Sequence, residues 1–200
     1  MNKTLLSVAA ASTVVVGVIT ANIADADNHS ARATLATADG LEIGTVEFTT
    51  EDGHTEVRVS LQGAPGLDAF HGFHIHANDD DTATPGNGSG CIATTDPATS
   101  FLSADGHYNP SEETHSHHVG DMPVVYVNAD GSVETLFRLD RINPGELNDK
   151  VVILHANPDN FANIPLGTDA TQYTAGAEAE AATARTGNAG DRVACGVITS

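Results

Sequence analysis

The chain has 200 residues, enough for one domain with its own core. Its formal net charge is −19, from 27 acidic residues against 8 Lys plus Arg. That balance argues against nucleic acid and anionic membrane as partners and describes a solvated acidic surface.

Met1-Asn2-Lys3 makes a short basic end, and the apolar run LLSVAAASTVVVGVIT follows from Leu5 to Thr20. ADA at Ala24 to Ala26 then puts small residues at the spacing a signal peptidase reads. Together these predict a secretory signal peptide over residues 1–26. Ala26 is the preferred last residue, and Ala21 is the alternative. A retained anchor is the competing reading, but the run is slightly short and lacks a basic stop-transfer flank. No cysteine lies near the cleavage zone, which argues against a lipoprotein anchor. Residues 27–200 are then a secreted or periplasmic domain without membrane contact.

That domain has no Trp and is rich in Gly, Thr, Val and Asp, a composition that favours strands and turns. Thr45 to Thr49 and Glu56 to Leu61 alternate polar and apolar residues, with turn signals ADG at 38–40 and EDGH at 51–54. Antiparallel strands are predicted at about 31–38, 41–50, 54–62, 72–78, 123–128, 131–142, 149–156 and 192–199. Eight short strands with turns between them describe a sandwich or barrel. Two regions break the rhythm, 78–122 and 157–191. Loops of that length in a compact domain are usually functional. AGAEAEAATAR at 175–185 has the composition of a short helix.

The fourth strand carries His74 and His76. Residues i and i+2 of a strand share a face, so both imidazoles point one way while Phe73 and Ile75 point to the core. His71 has the opposite parity and reads as a non-ligand. HYNPSEETHSHHVGD, residues 107–121, adds four histidines and an aspartate. His107, His115, His118 and Asp121 make a set of three imidazoles and a carboxylate, the kind zinc takes at a closed structural site. His117 is the surplus histidine, because His118 holds the H-x-G-D spacing to Asp121. A zinc site using His117 in its place is the alternative. His155 ends the apolar run Val151 to Leu154. Alone it reads as a strand-end residue; with His74, His76 and one more histidine it completes an all-imidazole set suited to copper.

Cys91 and Cys195 are the only cysteines. In an oxidising compartment an even pair usually joins. Such a bridge would close a loop of roughly 100 residues, worth at most about 4–5 kcal/mol. Free thiols or soft metal ligands are the other readings. The acidic run Asp79-Asp80-Asp81 reads as a solvated loop.

GFHIHA, GHYNP followed by HHVGDMP, VVILHANPDN and TGNAGDRVACGVI come in one order across nearly all of residues 27–200. In these blocks the chain resembles the copper/zinc superoxide dismutase family, particularly its secreted actinobacterial members. The resemblance implies an eight-stranded Greek-key β-barrel or sandwich with two long functional loops. It implies copper on His74, His76, His107 and His155, and zinc on His107, His115, His118 and Asp121, with His107 as the bridge. Asp159 matches the carboxylate that joins one copper and one zinc histidine. Arg192 matches the arginine over the copper, and Cys91 and Cys195 match the family disulfide. The implied reaction converts superoxide to dioxygen and hydrogen peroxide. A homodimer is one oligomeric state the family allows. A non-enzymatic exported copper or zinc carrier on the same barrel is the rival reading, and it would need neither Arg192 nor a bridging His107. A copper-only dismutase is disfavoured because all four zinc positions are filled. The chain lacks an obvious Lys cluster, and Arg185 is one candidate for steering the anion. A modest salt dependence of rate is expected.

Overall fold

In a computed structural model, residues 29–66, 68–79, 88–161 and 177–200 are described. The expected signal peptide, residues 1–26, lies outside them, as do Asp80 and Asp81 of the acidic run. The described strands are β1 (Ser30–Thr37), β2 (Glu42–Glu51), β3 (His54–Leu61), β4 (Ala69–His71), β5 (Phe73–His76), β6 (Val125–Val127), β7 (Val133–Leu139), β8 (Val151–His155) and β9 (Arg192–Thr199). A helix, α1 (Ala177–Thr186), precedes β9, where the Ala- and Glu-rich segment predicts it.

Seven strands form one antiparallel sheet in the order β5-β8-β9-β1-β2-β3-β7, and β4 pairs with β6 in a second. The β6–β7 turn is closed by Asn128 N–H to the Ser132 carbonyl at 3.0 Å. β4 runs directly into β5, which links the second sheet to one edge of the first. Counting β4 and β5 as one bent strand gives the eight of the barrel. The chain crosses between non-neighbouring strands twice, from β3 to β4 and from β7 to β8. These are Greek-key connections.

The expected strand over 72–78 is thus two strands split at Gly72, where the chain passes from one sheet to the other. The Gly72 carbonyl accepts from the His155 N–H at 2.9 Å, and its own N–H donates to the Asn157 carbonyl at 2.8 Å. Side-chain alternation does not register such a switch, because no residue faces the wrong way on either side of it.

The barrel fills by alternation. Ala31, Ala33 and Leu35 of β1, Val46 and Phe48 of β2, and Val57, Val59 and Leu61 of β3 point inward and are buried. Burying a side chain of the Leu or Phe size contributes about 1.5–3 kcal/mol. Phe73, Ile75, Val152, Leu154, Ala194 and Ile198 complete the same core from the other half.

The outer face of β5 and β8 is buried as well, and so is Cys195 on that face of β9, where an antiparallel sheet commonly faces water. Val151, Ile153 and Cys195 point out from the barrel and pack under Phe101 and Ala104 of the long loop, with Cys91 beside them. The Cys91–Cys195 disulfide is formed, with a Cα–Cα distance of 5.6 Å. This second layer turns a surface that would face water into a dry shelf. His74, His76 and His155 stand on that shelf.

Candidate metal centre

The loop after β5 runs back alongside it. Tyr108 N–H donates to the Ile75 carbonyl and Ile75 N–H to the Gly120 carbonyl, both at 2.8 Å. These bonds set His107 opposite His76 and Asp121 opposite His74 as isolated bridge pairs. Residues far apart in sequence therefore meet through backbone register, and the side chains inherit that placement.

Two groups of four buried residues result. His74, His76, His107 and His155 have ligand atoms within 4.8 Å of one another, and so do His74, His107, His115 and Asp121. Hydrogen bonds decide which nitrogen each ring has left to offer. His76 Nδ1 lies 2.7 Å from the Asp105 carbonyl and His155 Nδ1 3.2 Å from the Gly190 carbonyl. A carbonyl only accepts, so each Nδ1 carries the proton and each Nε2 keeps its lone pair. The two Nε2 atoms face each other at 3.4 Å. His74 is the reverse case: its Nε2 donates to Asp159 Oδ2 at 2.9 Å, leaving Nδ1. His107 Nδ1 is 2.8 Å from Asp121 Oδ1, leaving Nε2. His74 Nδ1 and His107 Nε2 are buried without a hydrogen-bond partner. Orphaned buried nitrogens are costly unless something binds them.

His118 belongs with the second group. Its Nδ1 is 3.1 Å from Asp121 Oδ1 and 3.2 Å from His107 Nδ1. His115 Nδ1 is 3.1 Å from Asp121 Oδ2. His74 shares that neighbourhood, but its Nε2 is taken by Asp159 and its Nδ1 serves the imidazole group. His107, His115 and His118 thus all approach Asp121. His117 is exposed, while its own N–H donates to the Thr114 carbonyl at 2.8 Å. His118, not His117, is the histidine brought into the cluster.

Asp159 lies between the groups, with Oδ2 2.9 Å from His74 Nε2 and 3.5 Å from His115 Nε2. Gly72 makes room for it. A Cβ at that position would sit 2.5 Å from Asp159 Oδ1 and 3.0 Å from His74 Cε1.

The electrostatics separate the rings. Burial, with the charge of neighbouring Arg192 and the adjacent rings, holds His76 well below the usual imidazole range. Burial does the same to His155, with His74 and His107 adding to it. Burial and the neighbouring His74 push His107 down to about 3, against the pull of Asp121. All three are neutral donors at pH 7. His115 goes the other way: burial opposes its charge, but Asp121 and Asp159 outweigh it and raise it to about 9. Asp121 and Asp159 resist their burial through these histidine contacts and stay ionised far below the carboxylate range.

Arg192 opens β9 beside His155. Its Nη1 donates to the Phe101 carbonyl at 2.6 Å and its Nη2 to the Asp105 carbonyl at 2.5 Å. Burial lowers its pKa to about 10, so it is still cationic at pH 7. Arg192, His155, Arg185 and Thr186 line a cleft of about 180 Å³. The rims of that cleft come from α1 and from the loop pinned by the disulfide.

Sequence reasoning missed the carbonyls of Phe101, Asp105 and Gly190, which carry no side-chain signal. It also passed over Arg141, whose Nη1 donates to the Ser116 carbonyl at 3.2 Å and whose Nη2 donates to that of Asp121. His71 is buried off the cluster, bonded to the carbonyls of His155 and Gly66 at 2.7 Å each, in keeping with its non-ligand reading.

A curled antiparallel sheet with a second, smaller one, carrying two adjoining nests of histidine and carboxylate that share His74 and His107, defines a candidate two-metal protein. Residues 42–198 match the pattern of the family described as copper/zinc superoxide dismutase (SODC), and the chain belongs to that family. It is 34% identical over 180 residues to the Cu-Zn superoxide dismutase of Mycobacterium tuberculosis, covering 86% of this chain and 71% of that one. It is 33% identical over 153 residues to that of Brucella abortus, covering 71% and 82%. Among solved structures it is similar to the clock protein EA4, with a TM-score of 0.59 and 27% identity over 86% of this chain and 94% of that one. A SOD-like protein from Bacillus subtilis, solved as a double mutant, shares the fold with a TM-score of 0.57 and 23% identity over 83% and 95%.

Proposed function

We propose that the chain is an exported superoxide dismutase, with copper held by His74, His76, His107 and His155 and zinc by His107, His115, His118 and Asp121. The observation that carries this reading is His107. Its Nδ1 faces the carboxylate group, and its remaining Nε2 is buried and unpartnered. An imidazole used on both sides is what a shared bridge requires.

The donor sets fit the two ions. Four imidazoles suit copper, and three imidazoles with one carboxylate suit zinc. Copper, when bound, supplies the one-electron exchange with superoxide, and zinc supplies a fixed charge that does not change oxidation state. The chain supplies the rest. Arg192 is a half-buried cation at the cleft and docks a small anion there. Its two carbonyl contacts fix the guanidinium plane. His107 would hold copper through Nε2, and that nitrogen, when free, could carry a proton for the peroxide product. Asp159 orients His74 and His115 together, coupling the two sets. Across a full cycle two superoxide anions and two protons become dioxygen and hydrogen peroxide.

The acidic surface does not oppose an anionic substrate, because charges beyond about 8 Å are screened at physiological salt. Arg185 at the cleft rim adds to the local positive field. Removal of residues 1–26 on export completes this reading, and the formed disulfide is in keeping with an oxidising compartment.

Metal content and dismutation of the purified protein test it, beside His155→Ala and Arg192→Ala. The first should lose copper; the second should keep copper and lose activity. A wild type that binds both metals and is inactive leaves only the carrier reading.

A further inference from the structure

We propose that a second cavity, distinct from the Arg192 cleft, is the entrance by which zinc(II) reaches its ligands, with Glu112 and Glu113 as the side chains that draw it in. The inference rests on the zinc assignment proposed above.

The cavity measures about 520 Å³, and its walls include Asp79, Glu112, Glu113, Arg185, His107 and His118. Glu112 and Glu113 are exposed and mark its mouth. His107 and His118 are buried, at 7% and 3% exposure, and mark its inner end. His107 Nε2 has no hydrogen-bond partner. The cavity thus joins exposed carboxylates to two of the four zinc donors. Backbone groups hold the acids in place. Asn109 Oδ1 accepts from Glu113 N–H at 3.0 Å, and Asn109 Nδ2 donates to the Glu113 carbonyl at 2.8 Å. His118 Nε2 donates to the same carbonyl at 3.1 Å. Glu113 is therefore one hydrogen bond from a zinc ligand, and none of these contacts uses its carboxylate.

The two openings differ in sign. Arg185 belongs to the walls of both. In the cleft beside His155, Arg185 and Arg192 face one carboxylate, Asp191. In the second cavity, Asp79, Glu112 and Glu113 face Arg185 alone among the described charges. Lys150 Nζ lies 4.0 Å from the Tyr108 ring centroid and is not part of the lining. A concave surface of one sign raises the local concentration of the opposite ion and its rate of entry. Carboxylate oxygen is also a zinc donor in its own right, so a glutamate can hold the ion on its way to the imidazoles. Cation and anion then reach the two sides of His107 by separate openings, each of the matching sign.

The test is the rate of zinc uptake by the metal-free, disulfide-bonded protein. Zinc(II) is mixed with it in a stopped-flow instrument beside a fluorescent zinc chelator, and zinc release is followed separately. Glu112→Gln/Glu113→Gln keeps the backbone contacts and removes two charges. Its association rate should fall roughly 10-fold at low salt, the lower end of what a focused field supplies. Added salt should slow wild type more than this variant. Release should be unchanged, because neither side chain holds the seated ion. Glu42→Gln/Glu51→Gln removes two exposed charges on β2, outside the cavity, and should match wild type. Equal association rates in the two double variants overturn the proposal. So does faster release with unchanged association, which would place the glutamates behind the ligands instead of at an entrance. His118→Ala reads the zinc assignment separately: uptake equal to wild type in that variant refutes the assignment, and the entrance with it.

Discussion

Arg141 donates through Nη2 to the backbone carbonyl of Asp121, and through Nη1 to that of Ser116 at 3.2 Å. One guanidinium thus holds both ends of the short segment that bears His118. Arg141 itself is fixed by its neighbour Ile142, which is buried and accepts from the Thr55 hydroxyl at 2.5 Å. Only Ser116 and His117 separate His115 from His118, so the loop has little length with which to shape itself. Replacing Arg141 with Ala should weaken zinc retention by roughly 10-fold or more, the scale of losses when groups behind the ligands are removed. Arg141→Lys should not restore it, because an ammonium cannot span two carbonyls as a fork does. Chelator competition measures both. An unchanged zinc affinity in Arg141→Ala would refute the role.

Asp159→Asn should separate orientation from charge. The amide keeps the size of the side chain but offers one acceptor where His74 and His115 need a shared anion. Metal affinity should drop by roughly 10–100-fold at both sets together. Competitive titration with a zinc and a copper chelator reads the two losses. Loss confined to one metal would show that Asp159 does not couple them.

Arg192→Lys keeps a cation at the cleft but loses the planar fork on Phe101 and Asp105. Activity should fall less than in Arg192→Ala, for which a fall on the order of 100-fold is expected for a fixed electrostatic partner. Copper content should be unchanged in both. Equal rates for all three proteins would remove Arg192 from the reaction.

The metal-free fold should be most stable near neutral pH. His107 is held at about 3, and His76 and His155 also lie well below their ordinary 6.5. Between those values the unfolded chain binds protons that the folded chain refuses. Their contribution is therefore complete above about 6.5 and is lost as pH falls, at up to about 1.4 kcal/mol per pH unit for each proton of difference. His115, raised to about 9, has the opposite sign: its contribution is complete below 6.5 and is lost as pH rises through 9. Urea midpoints should fall steeply from pH 7 to 4 and more gently from pH 7 to 10. A midpoint that rises on acidification would contradict the buried neutral rings.

Reducing the Cys91–Cys195 bond should lower stability by up to about 4.7 kcal/mol, since it closes a span of 104 residues. It also ties the loop under Phe101 to β9, three residues from Arg192. Activity should fall before the barrel unfolds. Parallel loss of activity and far-ultraviolet signal during titration with reductant would argue against that order.

Much of this was legible in the sequence, and the exceptions have a common cause. Alternation found β1, β2 and β3 within a residue or two, because each has one wet face and one dry face. Parity put His74 and His76 together and turned His71 away. β6 and β7 are shorter than the expected 123–128 and 131–142, since the apolar residues beyond them pack in loops. The split at Gly72, the carbonyls under Arg192 and the Arg141 clamp were not visible. Each is a backbone relationship between distant segments, and a side-chain pattern does not encode it.

Gly72 shows the same point from the other side. It contributes no donor, no charge and no ligand, yet a methyl group there would press on Asp159, on the Cβ of Ala189 at 2.7 Å and on His74. A mutational scan scored by activity would rank it with the histidines. The metal centre thus includes a vacancy with fixed coordinates, and filling it would act as a chemical lesion made by a residue without chemistry.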